Sequence, residues 1–298
     1  MSFSETLKHI VPNMVMIIGP TAVGKTRLSL QLAHLYPGSE IISVDAYQVY
    51  QGLDIGTGKL TRTQQEGIPH HLIDIKRWDE SYSVGEFLQQ TDALIKTHPL
   101  PPNAKWILCG GTGFYLNAFL YKMEFNHASD LNIRETLQKR VQNEGAQVLW
   151  DELNAIDPDY AQKVSCNDAK RISRGLELYQ LTQKRPSELE VKLPTQRDDV
   201  CLIGLEMERS KLYETIHQRI DDMLAKGWID EVRQLMSAGF EANMPAAGAI
   251  GYPEIINYLK GDIPQSEMVN CIQMNTRRFA KRQLTWLRRF SNVNWLSA

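Results

Sequence analysis

Met14-Val15-Met16-Ile17-Ile18 is an apolar run with no polar break, which suits a strand buried on both faces of a parallel sheet. A glycine-flanked loop follows, and then Leu28, Leu30, Leu32 and Leu35 supply apolar positions for a helix. The alternation continues. "EIISVDAYQVY" reads as a strand running into a loop, "HHLIDI" as a strand or sheet edge, "SVGEFLQQTDALIK" as a helix, and "KWILCGGTGFYLNAFL" as strand, tight turn and helix. Strands alternating with helices predict a parallel sheet with crossover helices.

The texture changes near Glu124. "DLNIRETLQKRVQNEGAQVLWDELNAID" and "NDAKRISRGLELYQLTQKRP" are charged, amphipathic and helical, with a break at Asp157-Pro158. "DDVCLIGLEM" then reads as a strand returning to the sheet, and Arg209 to Phe290 is mostly helical. The expected class is α/β: a core of residues 1–125 and 198–298, with a helical insertion domain at 126–197.

Composition narrows the classes. The chain has 298 residues, 43% of them hydrophobic, and a formal net charge of -2, values typical of a soluble globular protein rather than a disordered one. The longest apolar runs are too short to span a bilayer, and the first residues lack the charged-then-apolar pattern of a secretory signal, so a cytoplasmic location is expected. Cys109, Cys166, Cys201 and Cys271 have no C-x-x-C spacing, which points to reduced, packed thiols rather than a zinc site or a disulfide framework.

Gly19-Pro20-Thr21-Ala22-Val23-Gly24-Lys25-Thr26 fits G-x-x-x-x-G-K-[ST] between the first strand and its helix. Its backbone N–H groups turn inward around a phosphate, Lys25 adds a point charge, and the Thr26 hydroxyl can reach a magnesium ion. Asp45 falls where the second strand gives out, at the carboxyl edge beside that loop. It is either a proton acceptor for a second substrate or a magnesium or capping carboxylate, with Gln48 and Tyr50 near enough in sequence to share the site. "GGTGFY", Gly110 to Tyr115, offers further N–H groups and the Thr112 hydroxyl at the same edge, although a plain strand-to-helix turn uses glycines too. His70 and His71 have no partner at ligand spacing and are expected to be packed or hydrogen-bonded.

On a helical wheel of "NTRRFAKRQLTWLRRF", Arg277, Arg278, Lys281, Arg282, Arg288 and Arg289 share one arc of roughly 140°, with Phe279, Trp286, Leu287 and Phe290 opposite. Six cations uninterrupted by an acid, in a slightly acidic chain, favour a nucleic-acid backbone over a merely solvated face. Lys170, Arg171 and Arg174 repeat the theme on the insertion.

In order, "GPTAVGKT", "SVDAYQVYQGLDIGTGK", "PHHLID", "GGTGFY", "NDAKRISRGLE", "LYETIHQRI", "AIGY" and "NTRRFAKRQLTWLR" resemble the tRNA dimethylallyltransferase family over nearly the whole chain. The resemblance implies transfer of a dimethylallyl group from dimethylallyl diphosphate to N6 of the adenine 3′ of the anticodon in tRNA. It also implies Mg2+ as cofactor, a monomer and no membrane. Asp45 then matches the general base, and Lys25 and Thr26 stabilise the leaving diphosphate. Thr112 and Arg134 match residues that assist catalysis or touch tRNA, and Arg219 matches an arginine at the diphosphate. Expected tRNA contacts are Asp45, Ala46, Tyr47, Gln48, Thr112, Arg134, Lys170, Arg171, Arg174, Lys281, Arg282, Gln283, Thr285 and Arg288. Two places depart from the family pattern: Ala46 stands where a serine is usual, and Gly248 and Pro253 stand where basic residues are common. Without the resemblance, the loop and Asp45 also suit a P-loop small-molecule kinase with the insertion as a lid, and the basic helix alone suits a non-catalytic tRNA-binding module.

Overall fold

The computed structural model describes residues 12–123, 130–189 and 196–298. Two compact units divide the chain: Met1–Lys122 with Gln196–Ala298, and Met123–Thr195. The expected boundary at 125/126 and the first eleven residues lie outside the described residues.

In the core unit, strands β1 (Met14–Ile18), β2 (Glu40–Val44), β3 (His70–His71), β4 (Trp106–Gly110), β5 (Val200–Glu206) and β6 (Val293–Ser297) form one sheet in the order β3-β2-β4-β1-β5-β6. Every pairing is parallel, and Met14 lies between Trp106 and Val200. Because side chains alternate along a strand, β1 feeds two cores. Met14, Met16 and Ile18 pack with Phe87, Tyr115, Leu116 and Phe119 of α2 (Val84–Thr97) and α3 (Gly113–Leu120). Val15 and Ile17 pack with Leu28 and Leu32 of α1 (Lys25–Leu35). Leu35, read as apolar helix face, is 41% exposed at the end of α1.

The helix limits have local causes. Ser83 and Glu86 close a reciprocal capping box at the start of α2. Strand β3 stops after two residues because Leu72 and Asp74 take positive φ, so most of "HHLIDI" is turn. Strand β6 was not foreseen; its five residues, VNWLS, carry no clear alternation, and pairing with β5 alone makes them a strand.

After β5 come α8 (Arg209–Ala225), α9 (Trp228–Ser237), α10 (Tyr252–Lys260) and the 23-residue α11 (Gln265–Leu287). They pack around Ile216, Ile220, Trp228, Tyr252, Ile255 and Ile272.

The insertion unit holds α4 (Leu131–Glu144), α5 (Ala146–Ile156), the single turn α6 (Pro158–Ala161) and α7 (Ala169–Thr182) around Leu137, Leu149, Leu153, Ile172 and Leu176. Asp157 caps α6 ahead of Pro158, as the sequence break suggests.

Phe87 is 1% exposed and its ring stacks on Tyr115, centroids 5.0 Å apart. Phe87→Ala is expected to cost about 3–5 kcal/mol in denaturant unfolding, the loss typical of a large aromatic removed from a core.

Candidate functional site

All strands of the core sheet end at one edge, and the loops leaving them build the site. Gly24, at φ 98, turns the chain into α1 through a left-handed conformation that favours glycine, and Ala22 shares that region at φ 65. The loop amides therefore gather at the helix N-terminus, the usual setting for an anion. Lys25 Nζ donates to the carbonyls of Gly19 at 3.0 Å and Pro20 at 2.7 Å, which hold the ammonium over the loop. Burial pushes its pKa down to about 8, opposed by Cys109, aided by Arg219 and opposed again by Asp45. Burial also pushes the Cys109 thiol up, and Lys25 offsets part of that rise.

Asp45 stands just past β2. Its Oδ1 accepts from the N–H of Tyr47 at 2.9 Å and Gln48 at 3.2 Å, while Oδ2 has no hydrogen bond among the described residues. One oxygen is thus fixed and the other is open to a further hydrogen bond. Next to it, Ala46 N donates to Thr112 Oγ1 at 3.0 Å, so Thr112 ties the glycine turn after β4 to the Asp45 loop. Gln48 is occupied internally: it accepts from Ser43 Oγ and donates to the Thr57 carbonyl.

Two adjoining cavities open here, of about 340 Å³ and 450 Å³. Both are lined by Thr21, Asp45, Arg219 and Gln283. Lys25, Thr26 and His70 belong to the first. Ala46, Tyr47, Thr112, Trp228, Arg282 and Trp286 belong to the second, whose aromatic walls suit a flat or apolar group.

Arg219, isolated in the sequence, enters between the two cavities from α8 and makes no ion pair among the described residues. Burial lowers its pKa, and Asp45 opposes that change. Gly58, at φ +66, makes room for it, since a Cβ there would overlap the guanidinium. The Gly58 loop is held by residues that sequence reasoning missed. Glu231 Oε2 accepts from the N–H of Asp54 at 2.9 Å and Ile55 at 2.6 Å, and its Oε1 accepts from Tyr252 Oη at 2.7 Å. The nearly buried Lys59 bonds the Tyr50 carbonyl and the carboxylates of Asp54 and Asp74. The glycines of "DIGTGK" hinted at such crowding, but no sequence signal singled out Glu231.

Several expected contacts have other partners. Gln283 Oε1 accepts from Thr21 N at 2.8 Å, and its Nε2 donates to the Gly111 carbonyl at 2.9 Å. Its amide therefore braces both loops from α11. Arg277, expected to face phosphate, bonds His217 Nε2 from a half-buried position, because its place on α11 faces α8 rather than solvent. Phe279 and Trp286, expected to anchor the helix, line the cavities instead. The buried stripe is Met268, Ile272, Ala280, Gln283 and Leu287. Arg278, Lys281, Arg282, Thr285, Arg288 and Arg289 are exposed. Tyr47 lies against Gly248, one of the positions that depart from the family pattern. His70 Nδ1 donates to the Ile68 carbonyl at 2.8 Å and His71 Nε2 bonds Glu40, so both are hydrogen-bonded.

Within the insertion unit, Arg134 and Arg174 share the buried Glu177, at 2.9 Å and 2.7 Å. Arg171 lies 3.5 Å from Asp168, and Lys170 is exposed.

A parallel sheet with a phosphate loop at its carboxyl edge and a second cavity beside it defines a P-loop α/β protein. The chain belongs to the IPP transferase family, whose profile matches residues 48–290. It is 42% identical over 293 residues to the tRNA dimethylallyltransferase of Bacillus pumilus, covering 97% of this chain and 91% of that one. The tRNA isopentenylpyrophosphate transferase of Bacillus halodurans superposes with a TM-score of 0.69 at 39% identity, covering 96% of this chain and 90% of that one. A eukaryotic dimethylallyltransferase described as acting on tRNA superposes with a TM-score of 0.79 at 28% identity, covering 95% and 73%.

The Lys25 environment sets a pH dependence. Below about 8 the lysine is protonated with or without an anion in the loop, so affinity is full. An anion raises its pKa; as pH rises above about 8, binding must recapture a proton, and affinity falls by up to about tenfold per pH unit. Calorimetry with inorganic diphosphate between pH 7 and 9.5 should show this decline in the wild type relative to Lys25→Met. For Gln283, the Leu variant should weaken diphosphate binding about 5- to 100-fold, by leaving Thr21 N–H and the Gly111 carbonyl unpaired. RNA binding should change little; the reverse pattern would make Gln283 an RNA contact rather than a brace.

Proposed function

We propose that this chain transfers the dimethylallyl group of dimethylallyl diphosphate to N6 of the adenine 3′ of the anticodon in tRNA. The observation that carries this reading is the pair of adjoining cavities joined at Asp45 and Arg219, one with a phosphate loop and the other aromatic-walled. The names of its relatives support it.

In this reading the diphosphate occupies the loop, held by its amides, Lys25 and Arg219. The target adenine is flipped out of the anticodon loop into the aromatic cavity, as chemistry on a base requires. N6 attacks C1 of the allylic chain, the carbon–oxygen bond breaks, and the bonding pair leaves with the diphosphate. Asp45 Oδ2 takes the proton that N6 loses. Negative charge then grows on the leaving group where Lys25 and Arg219 already stand, so their attraction strengthens along the reaction.

The oxygen donors suit Mg2+, which keeps several waters and binds through substrate phosphates. Thr26 would hold the ion by its hydroxyl at the first turn of α1, and no group of three or more acidic, His or Cys side chains among the described residues forms a separate cage. When bound, Mg2+ neutralises part of the diphosphate charge. The exposed Lys281, Arg282 and Arg288 bind the tRNA backbone, with Thr285 between them. On the insertion unit, Lys170, Arg171, Arg174 and Arg134 are further cations assigned to the tRNA in this reading. In this reading one chain suffices as a monomer, since it carries both cavities, and the cytoplasmic location follows from the tRNA substrate the reading assigns.

The deciding assay incubates the protein with unmodified tRNA and either labelled dimethylallyl diphosphate or labelled ATP. Label in the tRNA from the prenyl donor supports the reading; phosphate transfer from ATP to a small acceptor, without prenylation, supports a kinase. Asp45→Asn should slow prenyl transfer about 10²–10⁴-fold with tRNA affinity nearly unchanged, measured by single-turnover kinetics. Near-normal turnover would remove Asp45 as the base.

A further inference from the structure

The core unit has a third opening, a groove of about 570 Å³ lined by the start of α8, one flank of α11 and strand β6. It brings together Arg209, Tyr213, Lys281, Arg288 and Trp295, with Glu206 the one acidic residue among its described lining. Arg209 Nε donates to Tyr213 Oη at 3.0 Å, and its guanidinium lies 5.2 Å from that ring's centroid. Lys281 and Arg288 make no ion pair among the described residues. Trp295 is 38% exposed on the sheet's edge strand. It lies against Gly204, where a Cβ would overlap the indole.

Position gives the groove its meaning. On α11, Lys281 and Arg288 mark one flank, while Arg282 and Trp286 line the aromatic cavity on the other. The width of one helix, about 10–12 Å, separates the two openings, and by helical spacing the exposed Arg278 lies on the ridge between them, with Arg282 at its cavity edge. A polyanion crossing that ridge from the cavity reaches the groove next.

We infer that this groove binds a nucleotide of the tRNA near the reacting adenine, its phosphate on Lys281 and Arg288 and its base stacked on Trp295. The inference rests on the tRNA reading above. A nucleotide carries an anion and a flat ring on one sugar, the pairing this groove offers; an acidic peptide would use the cations and leave the indole without a partner. Stacking makes the site tolerant of base identity, because every base has a π-face.

The test measures tRNA dissociation constants over a salt series for the full chain and for Trp295→Ala, Trp295→Phe and Arg288→Ala, with melting curves for each. Trp295→Ala should weaken tRNA binding about 5- to 100-fold and Trp295→Phe should retain most of the affinity. Arg288→Ala should flatten the slope of log affinity against log salt by about 0.7–0.9. The KM for dimethylallyl diphosphate should stay at its wild-type value in both Trp295 variants. Wild-type tRNA affinity in a well-folded Trp295→Ala overturns the inference. If that variant melts early, equal loss in Trp295→Phe, or an unchanged salt slope in Arg288→Ala, overturns it. A groove that binds a free mononucleotide while tRNA affinity ignores all three substitutions overturns it as well. A wild-type chain that transfers no prenyl group to tRNA would count against the function proposed above, not against the groove, whose readout is binding.

Discussion

Six parallel strands impose one constraint from which the site follows: every strand leaves the sheet at the same edge. The loops after β1, β2 and β4 must therefore share that edge, and helices starting there aim unpaired amides at it. Phosphate loop, Asp45 and glycine turn meet because β1, β4 and β2 are neighbours.

Crowding loops at one edge leaves buried backbone groups that need partners. Side chains far along the chain provide them. Gln283 serves Thr21 and Gly111 at once, Glu231 serves the loop at Asp54 and Ile55, and Thr112 serves Ala46. The C-terminal helices are thus structural members of the phosphate site. The helix that presents cations to solvent also braces the glycine-rich loop after β1 through Gln283.

Charge is divided along similar lines. Arg134 and Arg174 share the single carboxylate of Glu177 inside the insertion, which leaves the trio one positive charge, whereas Arg219, Lys281 and Arg288 have no carboxylate partner among the described residues. In a chain of net charge -2, cations left without partners at two openings concentrate anion affinity where the proposed chemistry needs it.

The sequence by itself determined the parts whose cause is local. Strand β1 is legible because an apolar run can only be buried, the phosphate loop because its glycines and lysine stand at fixed spacing, and α2 because Ser83 and Glu86 cap it. The partners of Gln283 and Arg277, the cavity-facing side of Phe279 and Trp286, and strand β6 were decided by tertiary structure. A helical wheel ranks positions by periodicity and gives no account of what lies opposite, so it set the aromatics against a core that proved to be a cavity wall. Gln283 and Thr21 are 262 residues apart, and only closure of the sheet and packing of α11 bring that amide to the loop. Local spacing encodes which groups can bind phosphate; long-range packing decides which side chains remain free to do so.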